Sequence, residues 1–282
     1  MKKVWTVVDL IQWGQNYFYE KNIDVPRLTI ELMLCELLSC QRIDLYLKFD
    51  YPLTEIQLAK LHNFVERKVK DEPLQYILNY TFFDSVKIKT DKRALIPRPE
   101  TELLVYEAKN KIEELSKKEI NILEVGTGTG CIAIALAKKF PQINFTATDI
   151  SPDSLSLAKE NAEIQNISNI DFILSDFFDA RFFYDKFDVI ISNPPYISLQ
   201  NYLNLDKEIL KYEPKIALTD NGDGLKFYKK FAEIWNNSKQ DLILILEIDG
   251  RNTPELVQLF KGEIEIKKDF AGLDRILIAH NK

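Results

Sequence analysis

Apolar positions along the chain follow three successive periods, and each predicts a different architecture. From residue 4 to about 70 they recur every three to four positions, as in Val7, Leu10, Ile11, Gly14 and Phe18, and again in Leu28, Glu31-Leu32, Cys35 and Leu38. That is the spacing of helices with one stripe turned to a core. Pro26 suits a first helical turn after Asp24, and Thr54 with Gln57 reads as a capping box opening another helix. A small helical bundle over residues 1–74 is therefore expected, serving either packing or substrate docking. Over residues 75–98 the period shortens to two, in Tyr76-Ile77-Leu78, Thr81-Phe82-Phe83 and Val86-Lys87-Ile88-Lys89, which predicts a β-hairpin connector. Residues 99–282 alternate. Pro97-Arg98-Pro99-Glu100-Thr101-Glu102 leads into a helix reaching about Lys117, and strands are expected at 121–125, 144–148, 170–174, 187–192, 242–247, 263–268 and 275–279. Helices in the gaps specify an α/β architecture, a parallel sheet wound on both faces with ligands at the carboxyl ends of its strands.

Composition narrows the class. Of 282 residues, 46% are apolar and 28% charged, enough apolar side chain for a substantial core. No apolar run approaches the ~20 residues that span a bilayer, and the start Met-Lys-Lys-Val-Trp lacks an apolar leader, so neither membrane contact nor a signal peptide is expected. The formal charge is −6, from 37 basic and 43 acidic residues, and residues 1–75 balance 10 against 11. A nucleic-acid binder usually carries a basic footprint, so this balance weakens that reading. Cys35, Cys40 and Cys131 form no C-x-x-C and stand near no histidine, so no disulfide framework or metal site is expected, and a reducing, cytoplasmic compartment is. Only His62 and His280 are present, which removes most histidine-based catalytic schemes.

The strongest local chemistry lies where the first expected strand ends, in Glu124-Val125-Gly126-Thr127-Gly128-Thr129-Gly130-Cys131 running into an Ala/Ile helix. Glycines there let a ligand lie against bare backbone. A dinucleotide site needs G-x-G-x-x-G, whereas here the spacing is G-x-G-x-G and Cys131 occupies the third position. That disfavours a dehydrogenase and favours a nucleoside carrying an amino-acid tail, S-adenosylmethionine. The bland alternative is a glycine-rich turn with no ligand. Acidic residues close the next two strands. Asp149, 23 positions after Gly126, is close to the ~20 expected of a ribose-binding carboxylate. Asp176 can accept the adenine amino group, with Phe177 beside it as a stacking face. Taken singly, Asp149 could instead cap the helix at Ser151-Pro152 and Asp176 could be an ordinary turn residue.

The fourth strand ends in Asn193-Pro194-Pro195-Tyr196. The Asn193 side-chain oxygen and the Pro194 carbonyl can accept both hydrogens of a planar –NH2, and Tyr196 can pack on the plane that bears it. This aims the nitrogen lone pair at a methyl group. A sulfonium is already activated, so alignment and exclusion of water are the main requirements, and no general base is needed. Acceptors on both N–H groups also stabilise positive charge developing on nitrogen. A proline-rich turn is the plain alternative.

The glycine loop and Asn193-Pro-Pro-Tyr196 resemble S-adenosylmethionine-dependent methyltransferases acting on planar amino or amide nitrogen. Further segments resemble one branch of them, the release factor glutamine methyltransferases (the PrmC/HemK family). These are Pro73-Leu-Gln-Tyr-Ile77, Leu95-Ile-Pro-Arg-Pro-Glu-Thr-Glu102, Ser175-Asp-Phe177, Tyr212-Glu-Pro214, Ala217-Leu218, Gly222-Asp-Gly-Leu225 and Asp269-Phe-Ala-Gly-Leu-Asp-Arg275. The resemblance implies a class I methyltransferase fold, Rossmann-like with a seven-stranded, mostly parallel sheet, preceded by the helical bundle. It implies methylation of the glutamine amide in the Gly-Gly-Gln motif of release factors. By position, Gly126, Thr127, Gly128, Thr129, Gly130, Asp149, Phe177 and Asn193 would hold S-adenosylmethionine, and Asn193, Pro194, Pro195 and Tyr196 the glutamine; Asp176 joins the cofactor set from its own place at the strand end. Phe177 stands where tryptophan is common, and Glu124 where aspartate is frequent. The expected protein is a monomer whose partner is the release factor. An adenine N6 or guanine N2 amino methyltransferase stays open, since an exocyclic amine presents the same planar group. So does a cofactor-binding protein without catalysis, which the intact Asn193-Pro-Pro-Tyr196 argues against.

Overall fold

A computed structural model describes residues 3–115, 117, 119–179, 184–238 and 241–280. The chain divides into two compact units, Met1–Asn79 with Lys207–Tyr212, and Tyr80–Asp206 with Glu213–Lys282. No helix among the described residues is long and apolar enough to cross a membrane.

The first unit is helical: α1 (Val7–Glu20), α2 (Pro26–Leu38), α3 (Arg42–Leu47), α4 (Glu55–Val69) and α5 (Leu74–Leu78). Reciprocal Thr6–Asp9 and Thr54–Gln57 bonds open α1 and α4, satisfying amide donors that a helix start leaves unpaired. The stripe Val7, Leu10, Ile11, Gly14 and Phe18 is buried as its spacing predicts. The α2 stripe is broader than expected. Ile30, Met33 and Leu34 are fully buried and Leu28 only partly, because α2 packs against α1, α3, α4 and α5 together. Its buried Glu31 is held between Arg27 at 2.8 Å and Arg42 at 2.6 Å, and these guanidiniums outweigh burial to keep its pKa below the usual carboxylate range. Tyr76, Ile77 and Leu78, expected in a strand, are helical: the amides of Tyr76 and Ile77 donate to the Pro73 carbonyl, and Asn79 ends the turn at φ 62°. Three consecutive apolar residues carry no period of their own, so tertiary burial decides. Lys207–Tyr212 joins this unit through Lys68–Glu208 at 2.6 Å and the Tyr212 hydroxyl, which donates to the Lys70 carbonyl.

The second unit begins with the antiparallel hairpin β1 (Tyr80–Phe83) and β2 (Val86–Lys89), followed by α6 (Thr101–Glu114), which stops short of Lys117. Then come β3 (Ile122–Val125), α7 (Cys131–Lys139), β4 (Phe145–Asp149), α8 (Pro152–Ile164), β5 (Ile170–Leu174), β6 (Val189–Ser192) and α9 (Leu199–Tyr202), before the chain passes through α10 (Lys207–Tyr212), the segment that belongs to the first unit. The chain closes with α11 (Lys226–Asn237), β7 (Ile243–Glu247), α12 (Thr253–Leu259), β8 (Glu263–Lys268) and β9 (Asp274–His280). The seven-stranded sheet has the order β5-β4-β3-β6-β7-β9-β8, parallel except where β9 pairs with β7 and β8. Residues alternate between its faces. Ile122, Ile243, Ile245, Ile276 and Ile278 pack towards α6 and α7, while Leu123, Leu244, Leu246 and Leu277 pack towards α11 and α12. Strand order reverses between β3 and β6, which opens a crevice at their carboxyl ends.

Gly14 lets α1 approach α2, since a Cβ there would lie 2.4 Å from Ile30 Cγ1. Gly14→Ala should therefore destabilise the chain by about 1–3 kcal/mol despite alanine's better helix propensity. A fall in the thermal unfolding midpoint checks this; an unchanged or higher midpoint contradicts it.

Candidate active site

The crevice contains a cavity of about 310 Å³, floored by the ends of β3, β4, β5 and β6 and bordered by Ala94-Leu95, Pro214–Ala217 and Thr219–Asn221. Of the residues expected at the cofactor, Gly126, Gly128, Asp149, Asp176, Phe177 and Asn193 line it, and so does Pro195. The other members of those motifs lie around it. Thr127 and Thr129 are buried beneath the loop, Gly130 caps α7, Pro194 is buried, and Tyr196 faces a separate groove with Arg251 and Leu273.

The glycine loop leaves β3 by doubling onto β4: the amides of Gly126 and Thr127 both donate to the Thr148 carbonyl at 2.9 Å. Gly126 has no heavy atom within 4 Å of a would-be Cβ, so bare backbone faces the cavity there. Gly130 serves packing instead, because its φ is +81° and a Cβ would press on Ala158 and Ile134 at 3.1 Å. Below the loop, Glu124 Oε2 accepts from the Thr127 hydroxyl at 2.7 Å and from the Ala133 amide at 3.2 Å. Its Oε1 is buried without a hydrogen-bond partner, and burial pushes the carboxyl up to about 8. Glu124 supports the loop and does not border the cavity.

Asp149 does not cap α8, whose first turn is capped by the Ser151 hydroxyl. Its carboxylate is held in the crevice by two amides: Gly128 donates to Oδ2 and Ser151 to Oδ1, each at 2.9 Å. Burial raises its pKa and these amides oppose the rise. Two of its lone pairs are taken by these amides, and the carboxylate lines the cavity with acceptor capacity left for a ligand. Asp176 fixes its own turn by accepting from the Phe178 amide at 2.9 Å. Phe177 is embedded among Phe231, at 4.4 Å between ring centroids, and the parallel Phe227 at 6.0 Å, so only part of its ring borders the cavity. Phe178 and Phe227 extend that aromatic wall, and Ile150 adds an exposed aliphatic face directly after Asp149. Sequence inspection missed these three; an aliphatic residue left exposed just after a strand-end carboxylate is the signal that could have found Ile150.

Asn193 follows β6 into the crevice, and its Nδ2 donates to Thr101 Oγ1 at 3.2 Å. Tyr196 donates its hydroxyl to Glu247 Oε1 at 3.2 Å, and burial raises its pKa far above the ordinary phenol value. Gly224, at φ +84°, passes so close to the Tyr196 carbonyl that a Cβ would sit 2.3 Å from it, which pins the segment from outside. The Pro97–Glu102 segment is anchored by Glu213, which accepts from Arg98 Nη2 and, at 3.1 Å, from the Ile96 amide. Bare glycine backbone, a carboxylate held by two amides, and an aromatic and aliphatic wall together fit the nucleoside and tail of S-adenosylmethionine.

Two family descriptions match: "PrmC N-terminal domain" over residues 9–78 and "Methyltransferase domain" over residues 116–261. The chain is 35% identical to the release factor glutamine methyltransferase of Chlorobaculum tepidum, with 97% of each chain covered. It is 38% identical to that of Rhodopirellula baltica, covering 97% of this chain and 95% of the relative, and 34% identical to that of Bacillus subtilis, with 97% of each covered. Among solved structures, the hMettl16 catalytic domain in complex with the MAT2A 3'UTR hairpin 6 shares the fold at a TM-score of 0.54 and 15% identity, over 80% of this chain and 81% of that one. A methyltransferase sheet with its glycine loop and Asn193 in one crevice, and relatives alike over almost their whole length, lead to one conclusion: the chain belongs to the release factor glutamine methyltransferase family.

Proposed function

We propose that this enzyme transfers a methyl group from S-adenosylmethionine to the side-chain amide nitrogen of the glutamine in the Gly-Gly-Gln motif of peptide chain release factors. The observation that carries this reading is the presence of Asn193 in the same cavity as Asp149 and the bare Gly126 and Gly128 backbone. The names of the relatives support the protein substrate, and the net charge of −6 favours it over a nucleobase.

When bound, the cofactor supplies a sulfonium-bound methyl group. Gly126 and Gly128 give it backbone to lie on, Asp149 accepts its ribose hydroxyls, and Asp176 with the Phe177–Phe227 wall receives the adenine. Thr127, Thr129 and Gly130 act from beneath by holding the loop. Asn193 Oδ1 and the Pro194 carbonyl accept the two amide hydrogens of the glutamine, Pro195 shapes the approach, and Tyr196, which lines the groove next along the segment, meets the glutamine from that side. An amide nitrogen is a weak nucleophile because its lone pair is delocalised. Two acceptors on its hydrogens stabilise the positive charge that builds up during transfer, and fixed placement removes much of the entropic barrier. We assign residues 1–74 to docking of the release factor, 75–98 to a connector and 99–282 to catalysis, in a monomeric cytoplasmic enzyme. Exposed Tyr19, Ile43, Leu47 and Ile56 give the helical unit apolar surface for that docking.

Asn193→Ala should lower kcat by about 100-fold or more while cofactor affinity changes only slightly; single-turnover transfer at the wild-type rate would exclude the role. Asp149→Ala should raise the cofactor Kd by about 10- to 100-fold, read by calorimetric titration, and unaltered affinity would contradict the ribose assignment. Labelled S-adenosylmethionine should mark a release factor but not its Gly-Gly-Ala variant. Label on both, or on neither, rejects the glutamine reading.

A further inference from the structure

Two buried polar residues lie just behind the acceptor segment and have no role in the transfer described above. Thr101, the first residue of α6, is 2% exposed, and Glu247, the last of β7, is 1% exposed. The pairing of Ser192 with Leu246 brings Asn193 and Glu247 to adjacent strand ends, with Thr101 beside both. The Glu247 carboxyl is pushed up to about 7 by burial, opposed by the nearby Thr101 and Tyr196 hydroxyls and by the Arg275 charge; its Oε1 accepts from Tyr196 at 3.2 Å, and its Oε2 is buried without a hydrogen-bond partner. Leaving a carboxylate buried here is costly, yet it bonds Tyr196 directly and lies beside Thr101, the partner of Asn193.

The order of donors and acceptors along this chain has a consequence for Asn193. A hydroxyl has one hydrogen. Thr101 Oγ1 accepts from the Asn193 amino end with a lone pair, which leaves its hydrogen to turn towards the neighbouring Glu247 carboxyl. The observed Nδ2 to Oγ1 contact at 3.2 Å has this polarity, so Asn193 Oδ1 is turned away from Thr101 and freed as an acceptor. Without the hydroxyl, the carboxamide torsion is close to two-fold and both ends can face the cavity. An amino end facing out would meet the substrate's own –NH2 donor to donor.

We propose that Thr101 and Glu247 are positioning residues: Thr101, by accepting from Asn193 Nδ2, fixes Asn193 with its oxygen towards the acceptor, and Glu247, by accepting from the Tyr196 hydroxyl, fixes the neighbouring ring, so that the site selects a side chain bearing two N–H donors. This rests on the substrate class proposed above, and it explains why a carboxylate side chain in place of the amide would be rejected, having acceptors where the site also has one.

The test uses the whole 282-residue chain. Thr101→Val keeps the shape and removes the hydroxyl; Thr101→Ser keeps the hydroxyl. In Thr101→Val, kcat on a release factor should fall about 10- to 100-fold, the cost of a misaligned reacting group, with the cofactor Kd and thermal midpoint unchanged, while Thr101→Ser should stay within a few-fold of wild type. Glu247→Gln, which replaces an acceptor oxygen with a donor nitrogen, should act in the same direction as Thr101→Val. Without any release factor, the side-chain 15NH2 signals of Asn193 should shift and exchange faster with solvent in Thr101→Val, and recover in Thr101→Ser. Unchanged kcat or unchanged Asn193 signals in Thr101→Val would overturn the proposal, as would an equal loss in Thr101→Ser, which marks a packing role. If the Asn193 signals respond as expected but the wild-type enzyme does not methylate a release factor, the positioning role stands and the substrate assignment fails.

Discussion

Parallel pairing of Ile122–Val125 on both of its edges is the constraint on which the rest of the site depends. A strand bonded on both sides cannot bend within the sheet, so the chain must leave at its carboxyl end, and it does so over the glycine loop. Because the connections run to opposite sides from that point, the ends of β3 and β6 diverge and leave a cleft. The cavity, the loop amides and Asn193 all follow from this reversal. The loop itself needs glycine for different reasons at different positions: bare backbone at Gly126, close helix packing at Gly130.

The carboxyl groups in and beneath the crevice are sorted by environment. Asp149 keeps two backbone donors and stays half-buried, suited to accepting hydroxyls. Glu124 and Glu247 are almost fully buried, raised by burial to about 8 and about 7, and each is bonded to hydroxyls of the motif it supports. Burying such groups is unfavourable unless they are hydrogen-bonded. Their placement against Thr127 and Tyr196 ties that cost to the shape of the glycine loop on one side and of the Asn193–Tyr196 segment on the other.

The helical unit follows a different logic. α1 presents a single apolar stripe, whereas α2 is wrapped by its neighbours and carries Glu31 into the interior between two arginines. Capping boxes at Thr6 and Thr54 fix where α1 and α4 begin, so much of this bundle is specified locally.

Sequence by itself determined the alternating sheet, the strand positions, the crevice motifs and the family resemblance, because period-two and period-three-to-four patterns, glycine spacing and proline pairs are local signals with local causes. The helix at Leu74–Leu78 was not legible, since three consecutive apolar residues fit either period. Nor was the division of labour inside the glycine loop, where neighbouring residues face a ligand cavity, a buried carboxyl or a packed helix. Only the tertiary structure brought Thr101, Asn193, Tyr196 and Glu247 together, from a helix start, two places after one strand and the end of another. Their partnership depends on strand order and on the direction of each hydrogen bond, and neither is written in the spacing of residues along the chain.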